Sequence, residues 1–169
     1  MKKFIYLLCL LASIGTATRA QQITKTDSLN KRPQAVFFEI LGSGGLYSVN
    51  YDTRFSTKPD GLGMKVGISY TQVSEASLFT LPLQLNYLLG KSEKYFEVGL
   101  GATYASAALD AFGDDDESES GSTVFGTMTF GYRKQPLDGG FMFRGGVSPV
   151  FGKGYFIPYY PYISFGYSF

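Results

Sequence analysis

Histidine and tryptophan are both absent from the 169 residues, and cysteine occurs once, as Cys9. Without histidine the chain lacks the usual general base near neutral pH. Metal sites of the His/Cys type are excluded as well. A single cysteine allows no disulfide within the chain. Beyond residue 20 no apolar run is long enough for a membrane helix. Any membrane crossing must therefore be made by strands closed into a barrel. No phosphate-cradling glycine loop appears, because the glycines recur within segments of strand length.

The first twenty residues read as a leader. Met1-Lys2-Lys3 is basic, Phe4 to Ile14 is almost continuously apolar, and Thr18-Arg19-Ala20 precedes Gln21-Gln22. That order is the secretory signal pattern, with cleavage expected after Ala20. The apolar run is about half of what a spanning helix needs. Bulky Leu8 and the short run before Cys9 argue against lipid attachment there. Loss of the leader removes Cys9 and, with Lys2, Lys3 and Arg19, takes the net charge from +1 to −2. No basic footprint for nucleic acid remains.

What is abundant is Gly, Tyr and Phe, at 21, 13 and 15 residues, arranged with a period of two. The final stretch, YYPYISFGYSF, puts Ile163, Phe165, Tyr167 and Phe169 on one face and Tyr162, Ser164, Gly166 and Ser168 on the other. A terminal strand with a bare aromatic face suits a barrel closing on itself in lipid. Residues 21–34 carry no period and read as a periplasmic leader segment. Turn signals then cut residues 35–169 into eight strands. They are Ala35–Gly42, Leu46–Phe55, Leu62–Val73, Leu78–Leu89, Tyr95–Leu109, Ser122–Lys134, Gly140–Phe151 and Tyr159–Phe169. The expected fold is all-β, an eight-stranded antiparallel up-and-down transmembrane barrel. If both ends of the barrel domain share the periplasmic side, Asp110–Gly121 falls outside, and the first outer link, Ser43–Gly45, is an unusually short turn.

Alternation fits a soluble lipocalin-like barrel too, with the apolar face turned inward around a ligand. Three features favour apolar-outward. The second face is rich in Gly, Ser and Thr, which suit a narrow lumen. Lysine is scarce within the strands, unlike a soluble outer face. Aromatics such as Tyr47, Phe79, Tyr104 and Phe151 sit near strand ends, as interfacial girdles do.

With that choice the lumen holds Glu39, Asp52, Arg54, Lys65, Glu97, Arg133 and Arg144. Charges out of water must pair. They form either a polar plug or the lining of a gated pore. The outer loop carries Asp110, Asp114, Asp115, Asp116, Glu117 and Glu119. Clustered carboxylates can hold calcium, but the spacing is not that of a calcium loop, and a solvated loop is the simpler reading.

LPLQLNYLLGKSEKYFEVGLGAT (81–103), GYRKQPLDGGFMFRGGVSPVFG (131–152) and the ending PYISFGYSF resemble the small eight-stranded outer-membrane β-barrel proteins of the Bacteroidetes. More broadly they resemble OmpA- and OmpX-type barrels. The resemblance implies an outer-membrane address and outer-membrane lipids as partners. It also implies that Ile163, Phe165, Tyr167 and Phe169 form the signal read by the assembly machinery. It implies no catalytic residue and no cofactor. Outer-membrane lipid A deacylases, palmitoyl transferases and phospholipases are similar to one another in using a histidine, which this chain lacks. The reading is a non-catalytic envelope scaffold or surface-interaction protein. The alternatives are a narrow gated channel and a soluble carrier of an apolar ligand.

Overall fold

The computed structural model describes residues 32–73, 76–110 and 118–169. The expected signal peptide, most of the leader segment and the acids Asp114, Asp115, Asp116 and Glu117 lie outside the described residues. Ten strands form one antiparallel sheet: β1 (Gln34–Leu41), β2 (Tyr47–Arg54), β3 (Gly61–Val73), β4 (Ala76–Lys91), β5 (Lys94–Asp110), β6 (Ser118–Lys134), β7 (Gly140–Val147), β8 (Val150–Gly152), β9 (Tyr155–Ile157) and β10 (Pro161–Ser168). Neighbours in sequence pair with one another from β1 to β7, and β10 pairs with both β7 and β1. The sheet is thus a closed barrel of eight staves, β1–β7 and β10.

The seam is fully zipped. Ala35 to Leu41 pair with Ser168 to Tyr162. Beyond them Gln34 and Phe169 exchange both backbone hydrogen bonds, at 3.1 and 2.9 Å. Closure leaves no free edge there. On the outer face Phe165 packs against Phe141 and Phe143, with ring centroids 6.4 and 5.6 Å away. Ile163, Phe165 and Tyr167 stand in the outward row of β10, and Phe169 is exposed beside them.

β8 and β9 are the upper part of the β7–β10 hairpin. Val147 faces Phe130 and Val150 faces Thr127, so β7 and β8 keep one register along β6. Pro149 has no N–H to give and interrupts the ladder between them. The return limb has one residue more between Ile157 and Pro161 than the outgoing limb has between Val147 and Val150. That extra residue bulges the chain near Tyr159, which is 84% exposed.

Two expected loops are corrected. The acidic loop is shorter than its composition implies, because Asp110 pairs with Ser118 and Leu109 with Glu119 in the ladder. Pairing with a continuous neighbouring strand overrides weak intrinsic strand preference. The link Ser43–Gly45 is not an outer turn. It folds inward as a 3-10 turn over Gly42–Gly44, and all three residues are buried.

Burial is inverted relative to a water-soluble core. Among the described residues seven hydrophobic side chains are buried, against 21 polar or charged ones. Leu100, Phe141 and Val124 are about 60% exposed, as part of a continuous apolar outer face.

Candidate functional site

The lumen owes its contents to strand parity. Inward positions on β1, β2 and β3 supply Glu39, Asp52, Arg54 and Lys65. Those on β5, β6 and β7 supply Glu97, Arg133 and Arg144. All seven are at most 1% exposed. The structure places them in one chain of alternating sign: Arg54, Asp52, Arg133, Glu97, Arg144, Glu39, Lys65. The successive N–O distances are 2.7, 2.8, 3.8, 2.7, 3.0 and 3.4 Å. The strongest link is Arg144 to Glu97, where Nε and Nη2 donate in parallel to the two carboxylate oxygens at 2.8 and 2.7 Å. The Arg144 guanidinium also lies 4.4 Å from the Phe37 ring centroid and 5.3 Å from that of Tyr162.

The two remaining staves join through neutral groups. Asn86 on β4 donates from Nδ2 to Asp52 at 2.5 Å and to Glu97 at 3.2 Å, and its Oδ1 accepts from Arg54. Ser164 on β10 donates to Glu39 at 3.1 Å. The network therefore ties every stave of the barrel together. Gln135 adds an acceptor for Arg133 Nε at 2.8 Å. Towards the end carrying the termini, buried Ala35, Phe37 and Met142 fill the space beside the charges.

The opposite end is closed by the inward turn. Leu41 takes φ 61°, ψ −153° to start it, a backbone region that costs on the order of 1–3 kcal/mol outside glycine. Hydrogen bonds from around the wall hold it in place. Thr103 donates to the Ser43 carbonyl at 2.8 Å and Thr80 to that of Gly44 at 2.7 Å. Lys65 Nζ donates to Ser43 Oγ at 2.7 Å, and Ser43 Oγ donates to Glu39 at 3.2 Å. Tyr160 donates to the Gly45 carbonyl at 3.0 Å. Gly44 is required because a Cβ there would sit 2.4 Å from that of Ser48. The charge chain and the turn thus meet at Lys65, Glu39 and Ser43.

Sequence reasoning missed Ser43, Thr80, Thr103 and Gln135 as members of this site. For Ser43 a signal existed, since the Gly42–Gly45 link is too short to project as a loop. Thr80 and Thr103 carry none beyond their inward parity. Asp110 and Glu119 stand at the far tip of β5 and β6, remote in the ladder from the charge chain.

The fold, a closed barrel of eight antiparallel staves, has counterparts among solved structures. The N-terminal β-barrel domain of Pseudomonas aeruginosa OprF superposes with a TM-score of 0.59 at 9% identity, over 82% of this chain and 96% of that one. The two share the fold of a closed antiparallel β-barrel. Ail, the attachment invasion locus protein of Yersinia pestis, in complex with the heparin analogue sucrose octasulfate, aligns at 12% identity with a TM-score of 0.46. The alignment covers 82% of this chain and 99% of that one. No protein-family model matches this chain, and no curated protein matches it in sequence.

Proposed function

We propose that this chain is a non-catalytic β-barrel of a Gram-negative outer membrane, exported by a cleaved signal peptide. It serves as an envelope scaffold that presents its loop end to the outside. The observation that carries this reading is the inversion of burial, with apolar side chains outside and a seven-charge chain inside. An apolar exterior of this extent is costly in water and stable in lipid. The lumen offers charges bonded to each other rather than apolar walls, which speaks against a carrier of an apolar ligand. The shared fold with the OprF barrel domain supports the same address. The outward apolar row Ile163, Phe165, Tyr167 and Phe169 would be what the assembly machinery reads.

The orientation follows from parity. The turns at Phe55–Asp60, Ser92–Glu93 and Gln135–Gly139 share the end with both barrel termini, which would be periplasmic. The segment between β5 and β6 would then be exposed outside. Proteinase K added to intact cells is expected to cut the protein between residues 110 and 118, leaving the paired strands of the barrel protected. Cutting only after the cells are lysed would overturn the orientation.

A further inference from the structure

Three lysines meet on the outer wall at the end carrying the termini. Lys91 closes β4, Lys94 opens β5 and Lys134 closes β6. Lys91 is directly opposite Lys94 in one ladder, and Lys94 is directly opposite Lys134 in the next. Directly opposed residues have Cβ atoms about 4.5–5.5 Å apart, so the three side chains form one rung. All three are exposed. Two residues along each strand towards the middle of the barrel, Leu89, Phe96 and Tyr132 form the next outward rung, paired in the same way.

Like charges opposed across a ladder are destabilising. Here, among the described residues, no ion pair offsets them. Among the described residues the acidic side chains at this end are Asp60, Glu93 and Asp138, in the turns. Among the described residues none of the three ammonium groups forms an ion pair with a carboxylate. The contrast with the lumen is sharp, since every charge there is paired.

We propose that the Lys91–Lys94–Lys134 rung binds the phosphate of an anionic phospholipid in the leaflet at this end of the barrel. The inference rests on the membrane reading above. With Leu89, Phe96 and Tyr132 among the acyl chains, the lysine stems extend along the apolar wall and bring their ammonium groups to headgroup depth. A zwitterionic headgroup carries its own cation to the rung and is partly repelled. A headgroup whose only charge is its phosphate is not. The site is therefore selective for net negative lipid, whose phosphate lowers the repulsion among the three ammonium groups.

The test uses residues 21–169 refolded into phosphatidylcholine vesicles, with insertion checked by flotation. Spin-labelled phosphatidylglycerol and spin-labelled phosphatidylcholine are then compared for association with the protein. A lysine near a charged membrane surface is worth a factor of about five, and at least that preference for phosphatidylglycerol is expected. K91Q/K94Q/K134Q is expected to lose it, and K94Q alone, the central position, to lose most of it. K58Q/K153Q is expected to keep it. Equal association of the two lipids with the floated wild-type protein would overturn the site while leaving the membrane reading intact. Retention of the preference in both K91Q/K94Q/K134Q and K94Q would also overturn it. Displacement by excess inorganic phosphate at constant ionic strength would reassign the rung to a soluble phosphate and overturn the lipid. Failure to float would overturn the membrane reading itself, and this inference with it.

Discussion

Replacing Glu97 with alanine is expected to cost about 3–5 kcal/mol of barrel stability, the range for removing one partner of a buried ion pair. Glu97 stands at the centre of the alternating chain. It accepts two parallel hydrogen bonds from Arg144, lies 3.8 Å from Arg133 Nη1, and accepts from Asn86. Without it, among the described residues, Arg144 keeps only Glu39 and Arg133 only Asp52 as ion-pair partners. Both guanidiniums are fully buried, so water does not make good the loss. The companion variant Glu97→Ala/Arg144→Met removes both ends of the strongest link and is expected to lose less than the two single changes added together. Urea unfolding in lipid vesicles, followed by tyrosine fluorescence, measures all three. A loss under about 1 kcal/mol for Glu97→Ala would mean that the chain of charges does not hold the staves.

The second large effect lies at the seam. Gly166 on β10 is directly opposite Phe37 on β1. A Cβ on Gly166 would fall 2.2 Å from the Val36 carbonyl oxygen and 2.4 Å from Phe37 Cβ. Phe37 cannot move away freely, because its ring lies against the Arg144 guanidinium. Gly166→Val is therefore expected to destabilise the closed barrel by about 3 kcal/mol, at the upper end for overpacking. The folded fraction is read from the mobility shift between boiled and unboiled samples on a gel. Gly121→Ala is the control, since nothing lies within 4 Å of the added methyl. Its effect is expected within about 0.5 kcal/mol. Normal folding of Gly166→Val would contradict the described seam.

Both predictions show where sequence reasoning stops. The face that each residue takes is written in the period-two alternation, and so are the eight staves with their antiparallel order. Which charge meets which is not. Arg133 and Asp52 are 81 residues apart, and they meet only because closure brings β6 across the lumen from β2. That adjacency depends on the stagger of the closed sheet, which strand boundaries do not encode. The inward turn was illegible for a different reason. Gly42-Ser43-Gly44-Gly45 has the composition of any tight turn. Its direction is set by Glu39, Lys65, Thr80 and Thr103, which come from four different staves. The limits of β5 and β6 are hidden in the sequence because Asp110 and Ser118–Gly121 have loop composition and yet complete a ladder.

In the proposed membrane barrel the lumen is closed at two levels, by the inward turn and by the charge chain. Residues 21–169 refolded into liposomes loaded with an ion-sensitive dye test it directly. The protein is expected to insert, with ion flux staying at the level of empty liposomes. Steady flux through the inserted wild-type barrel, abolished by Arg144→Ala or Glu39→Ala, would contradict the sealed lumen and make the gated channel the leading reading.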